Sequence, residues 1–585
     1  MGLALLLSPL WLAHALASTP NPPLAAPVPA DTEVIAGELG GQIDRWVSRM
    51  VPLGFSGGVL LSRDGEVLLA RAYGDADRTT GQPASIDTLW PIGSISKHFT
   101  AAAVLKLQSQ GKLSVSDRLD ALLPAEWLQG VPRHMGQITV HQLLTHTAGF
   151  PESSGMATPR HSAAEQVRHA FRTGLDFAPG TEAGYSNIGY GVLAAVVEVV
   201  SGKPFEQTLR ETVLVPAGMT DTAIRSMAWD DGRVARGMID GQDRGRLDTD
   251  WPATPWWLLG AGGVQTTLWD MHRWSQGLRD HTVLDPEAFA AMTTAHVREG
   301  PGMSTGYGCG VFDTPRHTTM IGHNGSDDVF AADWRHYVQD GVTVFVTSNH
   351  ADVYADVVSA AVTRMAFGMS VPLPPQVSPL AAEDLARYDG DWLLDDGGMI
   401  TVQSRGSGLL VSSGDAAGAR LVHPLPSWQR ETREQLLKLL GAAWQQATEG
   451  DFASLHGLVA PYAPRNDFED QHQAMLDHWS SELGALEHLS TLPGRNRFGE
   501  IAIIARLTHE RGEVMIEFSF GQDEVGAIRF LSEVPARLVQ PLSASEFVAY
   551  DPATDERWPV DFRLDDDGAP VALMLNGGEQ TATRR

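Results

Sequence analysis

The sequence predicts a mixed α and β protein of the α+β kind: an antiparallel sheet flanked by helices, followed by a smaller β domain that carries an α+β insertion. Three observations point there. Hairpin signals lie near the start and again past residue 320, helical apolar patterns fill the stretch between them, and a Pro-rich break after Val371 precedes short alternating segments. With 585 residues, 43% hydrophobic and 19% charged, the chain can build two or three domains with sizeable cores.

In chain order, residues 1–17 are apolar and end in Ala15-Leu16-Ala17 before Ser18, a small-x-small pattern that reads as a cleaved signal peptide even though no Lys or Arg precedes it. A periplasmic or secreted location is therefore expected, with no membrane span once the signal is removed. Residues 18–31 form a Pro/Ala-rich linker. The first domain, 32–370, opens with a helix over 32–51 and a hairpin, 58–62 with 67–72, joined at Arg63-Asp64-Gly65. After Pro91 and Gly93, the residues Phe99, Ala102, Ala103, Val104 and Leu107 recur at near-helical spacing, with Gly111 as a stop. A second apolar helix over 188–200 is closed by Ser201-Gly202-Lys203-Pro204. Residues 306–311 read as a core strand holding Cys309, the single cysteine, so a buried inert thiol is expected and no internal disulfide can form. Strands at 329–337 and 342–347, joined at Gln339-Asp340-Gly341, and a helix over 355–367 complete the domain.

Beyond Pro372, Pro374 and Pro375, residues 388–392, 399–403 and 409–412 read as short strands. Ala419-Arg420-Leu421-Val422-His423-Pro424-Leu425 recurs with one change as Ala536-Arg537-Leu538-Val539-Gln540-Pro541-Leu542, as if the chain left one β domain and re-entered it. That places the β domain at 371–427 plus 536–585 and an insertion at 428–535, with helices over 433–448 and 471–486 and strands at 501–507, 514–520 and 527–531.

The chemistry starts at Ser94-Ile95-Ser96-Lys97. Residues three apart share a helical face, so the Lys97 amine can reach the Ser94 hydroxyl beside a positive helix N-terminus. A serine needs a base to become a nucleophile, and a lysine can serve once burial lowers its pKa. Taken alone, the pattern is weak and fits a Ser N-cap followed by a solvated Lys better. Two further elements follow in order. Tyr185-Ser186-Asn187 sits on a loop entering a helix, where a phenol can relay a proton and an amide can hold a carbonyl. His323-Asn324-Gly325-Ser326 precedes a strand, where Gly325 permits close approach of a substrate backbone and the Ser326 N–H can face an oxyanion. Separately, these two fit a packed loop tyrosine and an ordinary Asn-Gly turn.

Together, Ser94-x-x-Lys97, Tyr185-Ser186-Asn187 and His323-Asn324-Gly325 resemble the three motifs of the penicillin-recognising serine hydrolases, in the branch of class C β-lactamases, D-aminopeptidases and esterases. Leu143-Leu144-Thr145-His146-Thr147-Ala148-Gly149 and Gly262-Gly263-Val264-Gln265-Thr266-Thr267 resemble flanking segments of the same family, over roughly residues 40 to 370. The resemblance implies a β-lactamase/transpeptidase-like fold with Ser94 as acylated nucleophile. Lys97 and Tyr185 would share the proton work, the choice of base staying open. Asn187, His323 and Gly325 would bind substrate, and the backbone N–H groups of Ser94 and Ser326 would form the oxyanion hole. The short strands after the Pro-rich break resemble the small, lipocalin-like β-barrel appended to some D-aminopeptidase-like members, and the helix and strand order of the insertion resembles an α+β module of the nuclear-transport-factor-2-like type. Asn324 replaces the family's usual Thr and a neutral His323 is a weak anchor for a carboxylate, which argues against an efficient β-lactamase. D-aminopeptidase-like cleavage of small peptides or D-amino acid amides is the leading expectation, with carboxylesterase activity or β-lactam and peptide binding without turnover as alternatives.

Other classes fare worse. A net charge of −28 argues against general nucleic-acid binding. His141 and His146 are five apart, which does not put both on one helical face, and with one Cys and no HExxH no metal or other cofactor is expected. Trp251, Trp256 and Trp257 fit the packing of a long loop better than a substrate cleft, and the loops at 158–175 and 240–257 would shape the pocket.

Overall fold

A computed structural model describes residues 32–585 apart from 153–161, 225–231, 240–241, 248–249, 251–255, 328, 351–354, 424, 426, 460–467, 495–500, 521–524, 532–533, 553–554 and 579. The expected signal peptide and linker, Trp251 and parts of both pocket loops lie outside the described residues. Among the described residues, nine antiparallel strands build the first sheet: β1 (Val34–Ile35), β2 (Gly57–Arg63), β3 (Glu66–Tyr73), β4 (Val297–Gly300), β5 (Met303–Thr305), β6 (Gly310–Asp313), β7 (Thr319–Ser326), β8 (Ala331–Tyr337) and β9 (Val342–Ser348), in the order β1-β3-β2-β9-β8-β7-β6-β5-β4. The β2–β3 turn is made by Asp64 and Gly65, both at positive φ (50° and 90°), the backbone that an Asp-Gly pair tolerates.

Each face of the sheet buries against helices. Ala331 and Tyr337 of β8 join a core with Ile43 and Trp46 of α1 (Gly37–Met50) and with Val358 and Val362 of a C-terminal helix (Ala355–Ala366). Ala332 and Trp334, alternating to the other side, pack against Phe99 of α2 (Ser96–Ser109) in a second, larger core. The remaining helices that position the site are α3 (Val140–Leu144), α4 (Asn187–Ser201) and α5 (Trp256–Gly262). α2 is buried nearly all round, from Ser96 to Leu107 except Lys106, which places Lys97 inside the protein.

Several local expectations change. Residues 32–51 are not one helix, because Gly37 takes a φ of +63° and the chain before it pairs with β3. Ser94 lies in a 3-10 turn, Gly93–Ile95, that feeds α2. Cys309 is buried as expected but stands just before β6, and burial pushes its thiol up to about 12. His146 is not in a helix with His141, since α3 stops at Leu144. Within the loop 158–175 there is a helix, Ala163–Thr173, announced by the capping box of Ser162 and Glu165.

The second half holds a closed barrel whose strands come from two stretches, 390–412 and 537–584. Between them the chain forms helices, including Ser427–Thr448 and Phe468–Leu483, and a four-stranded sheet from Leu486–Pro493 to Val525–Leu531. The barrel strands Gly408–Ser412 and Arg537–Pro541 pair directly across that 124-residue gap, through Leu409↔Val539 and Val411↔Arg537. The Pro-rich connection is held against the first domain, with the Trp46 indole donating to Pro372 O (2.9 Å) and Arg49 to Pro374 O (3.0 Å). No single helix among the described residues is long and apolar enough to cross a membrane.

Candidate active site

The motif residues meet where α2 begins, between α4 and the end of β7. Ser94 Oγ accepts a hydrogen bond from Tyr185 Oη at 2.8 Å and lies 3.1 Å from Lys97 Nζ. Lys97, fully buried, donates to Asn187 Oδ1 at 2.7 Å and to Ala261 O at 3.0 Å. These two acceptors use both protons of a neutral amine, so its lone pair faces Ser94 and the serine hydroxyl donates to it; only the ammonium form would donate to all three oxygens. Burial favours the neutral form and holds the amine well below the usual lysine range, against a weaker opposing pull from Glu152. Desolvation moves the Tyr185 phenol upward, away from phenolate, although its ring is 39% exposed along the cleft.

Local sequence builds this arrangement. Ser96 Oγ accepts from Val264 N–H and Thr100 Oγ1 donates to Gly260 O, which locks α5 against α2 and brings the Ala261 carbonyl to Lys97. Gly260 lets α5 touch α4, since a Cβ there would stand 2.4 Å from Tyr190 O. Ser186 caps α4 by accepting from Gly189 N–H (3.0 Å), which places Asn187 at the first helical position.

β7 supplies the opposite wall. It pairs with β8 along its length but with β6 only as far as Gly322, so among the described residues no strand pairs with His323 to Ser326 on that side. The segment that the sequence placed before a strand is the end of β7, and although the strand is internal in the sheet, its last four residues leave an open edge where a substrate backbone can approach. Gly325 lies so close to the Ser94 turn that a Cβ would meet Ile92 O at 1.9 Å and Ser94 N at 2.8 Å, and a Cβ on Gly93 (φ +47°) would meet Ser326 N at 2.7 Å. The backbone N–H groups of Ser94 and Ser326 are therefore neighbours, as an oxyanion hole requires. The His323 ring sits 6.2 Å from that of Tyr185 and bonds its own strand at Asn324 O. Lost hydration first, and the charge of the nearby Lys97 whenever that amine is protonated, push its imidazole down to about 4, so it is neutral at pH 7. A cavity of about 430 Å³ opens beside Tyr185, His146 and His323 and runs on to Met303, Phe312 and Met320.

All seven residues singled out from sequence thus surround one point. Sequence reasoning missed His146 as a part of the site, the Ala261 carbonyl and Tyr190, whose ring lies 5.5 Å from Lys97 Nζ. His146 stood in a family-like segment, but its place depends on a backbone turn that no local pattern announces. Trp256 is buried in the core rather than lining the cleft. Among the described residues no group of side chains could hold a metal ion.

A sheet flanked by helices with a serine, a buried lysine and a tyrosine at a helix start defines a serine hydrolase of the penicillin-recognising class. Residues 44–366 match the family model described as Beta-lactamase, more than half of the chain, and the chain belongs to that family. It is 26% identical over 410 residues to Penicillin-binding protein 4* of Bacillus subtilis (strain 168), an alignment spanning 65% of this chain and 87% of that one. It is 28% identical over 337 residues to Esterase EstB of Burkholderia gladioli, spanning 50% and 85%. The solved structure of an octameric penicillin-binding protein homologue from Pyrococcus abyssi covers 85% of this chain and 99% of its own, at 18% identity and a TM-score of 0.50, a likeness of fold.

Proposed function

We propose that the protein hydrolyses small amides and esters through an acyl-enzyme on Ser94, with small peptides or D-amino acid amides as its main substrates, and that it works outside the cytoplasm. The observation that carries this reading is the run of hydrogen bonds from Tyr185 through Ser94 to a buried Lys97 whose two protons are already engaged. Lys97 takes the serine proton as the Ser94 Oγ bonds the acyl carbon. The resulting ammonium is held by Asn187 and Ala261, and the oxyanion by the Ser94 and Ser326 N–H groups. Tyr185, protonated in the resting site, passes its proton to the leaving group and takes one back from the hydrolytic water, while the Lys97 ammonium returns its proton to the departing Ser94 Oγ. A water then attacks the acyl-enzyme by the reverse route. Each oxyanion donor is worth about 3 kcal/mol in such sites. A neutral His323 beside Asn324 offers no charge for a free carboxylate next to the scissile bond, which supports esters, amides and small peptides cleaved away from their C-terminal carboxylate over β-lactams or substrates anchored by that carboxylate. The esterase reading draws on the same feature and on the likeness to Esterase EstB.

The test compares a D-alanyl anilide with a short-chain nitrophenyl ester, using wild type and Ser94→Ala. Loss of both activities in the variant, with the anilide preferred by wild type, is the expected result. Ester turnover alone would make the protein an esterase, and activity surviving in Ser94→Ala would overturn the nucleophile.

A further inference from the structure

We infer that His146 is the residue that positions Tyr185, gripping the chain on both sides of it; this rests on the acyl-enzyme reading above. His146 follows α3 with a φ of +59°, a left-handed backbone that non-glycine residues seldom adopt and that clusters at functional sites. In that conformation its carbonyl accepts from Gly184 N–H at 2.9 Å, one residue before Tyr185. Its Nδ1 accepts from Ser186 N–H at 3.0 Å, one residue after. Its ring lies against the Tyr185 ring at 4.6 Å and the Tyr190 ring at 5.2 Å. Neighbouring carbonyls extend the template, Thr147 O accepting from Gly180 N–H and Gly149 O from Asp176 N–H, but among the described residues His146 alone reaches both flanks of the tyrosine.

The geometry also settles the protonation form. A backbone N–H can only donate, so Nδ1 carries the lone pair and the proton sits on Nε2. Burial keeps the imidazole neutral, as this role needs, since a protonated ring would set N–H against N–H. With Nδ1 occupied, His146 does not serve as the base for Ser94; it sets where the Tyr185 hydroxyl points. The loss expected on removing it is therefore in turnover rather than in substrate binding.

The experiment uses the full-length protein and the nitrophenyl ester, with His146→Ala, His146→Asn and His146→Phe, and reads kcat and KM separately. Misplacing a catalytic group by about 1 Å costs on the order of 100-fold, so His146→Ala should lose about that much in kcat with KM within about 3-fold. His146→Asn keeps an acceptor where Nδ1 stood and should recover most of the loss. His146→Phe keeps only the stacked ring and should not. Equal losses in the Asn and Ala variants, or unchanged kcat in Ala, would overturn the inference. Nitrogen NMR of the wild-type imidazole gives an answer even if the Ala variant fails to fold: a protonated Nδ1 would sink the proposal, whereas an Nε2–H tautomer supports it. If wild type were no faster than Ser94→Ala, the acyl-enzyme reading would fall while the tautomer still judged the placement of His146.

Discussion

At the scale of single residues, the site depends on side chains that are absent as much as on those present. Gly325 touches the Ser94 turn so closely that any Cβ must push β7 away from the nucleophile, and the atoms it meets are backbone, which cannot swing aside. Gly325→Ala should therefore cost about 1–3 kcal/mol of stability and on the order of 100-fold in ester turnover. Gly457, exposed in the helix Ala453–Val459 with nothing within 4 Å of a built Cβ, is the control: Gly457→Ala should leave turnover unchanged and gain up to about 1 kcal/mol. Unfolding and kinetics on the two variants decide this, and equal behaviour would refute the close-contact argument. The serine, lysine, tyrosine and β7 residues were legible because each motif carries its chemistry in three or four consecutive positions. His146 was not, because its role comes from a left-handed turn and from partners about 40 positions away.

At the scale of elements, local signals were reliable where they were complete and misleading where tertiary contacts decide. The Asp64-Gly65 hairpin and the Gly202 stop of α4, at a φ of 70°, formed as read because the turn chemistry alone requires them. The seven-residue repeat did not behave as a structural repeat: Ala416–Val422 is helical, whereas Arg537–Pro541 is a barrel strand. In the first copy Asp415 caps a helix and Arg420 pairs with Glu434 at 2.7 Å. In the second, Leu538 and Val539 face a partner strand and Arg537 lies on the Trp558 ring at 3.9 Å. The same residues follow whichever hydrogen-bond partners surround them. Caps are more predictable, and Ser186 tests one. Its hydroxyl accepts from Gly189 N–H and donates to Pro151 O (2.8 Å), while its bond to His146 uses only the backbone. Ser186→Ala should cost about 1–2 kcal/mol in urea unfolding yet keep kcat within about 3-fold, the reverse of the His146 pattern. A variant as stable as wild type would show that the cap carries no weight.

At the scale of the whole molecule, the interior of the first domain collects imidazoles that folding keeps neutral. His98 and His146 are held well below the usual histidine range by burial, and His323 and His336 are pushed down to about 4. Unfolded, each would titrate near 6.5. Between about pH 6.5 and 4 the unfolded chain thus binds protons that the folded chain refuses, so stability must fall as the solution is acidified through that window. Asp270 works in the opposite sense, because burial raises its carboxyl to about 6 and the folded form keeps a proton that the unfolded form releases. Asp176, Glu198 and Asp356 are raised by burial too and work with Asp270. Yet at pH 5 the imidazoles of His323 and His336 alone contribute on the order of 2 kcal/mol each against roughly 1.4 kcal/mol for Asp270, so the imidazoles prevail. Carboxylates held low by arginine partners, such as Asp243 and Asp340, add to the loss only below about pH 4, where the unfolded carboxyls also protonate. Measuring at pH 5 separates the two groups. Urea unfolding followed by tryptophan fluorescence should give a midpoint clearly lower at pH 5 than at pH 7.5, by about 2–3 kcal/mol in unfolding free energy. His336→Phe, which removes a buried imidazole outside the proposed catalytic group, should narrow that gap. A protein equally stable at both values would mean that these rings are charged, or hydrated, in the folded state, and the neutral site argued here would have to be abandoned.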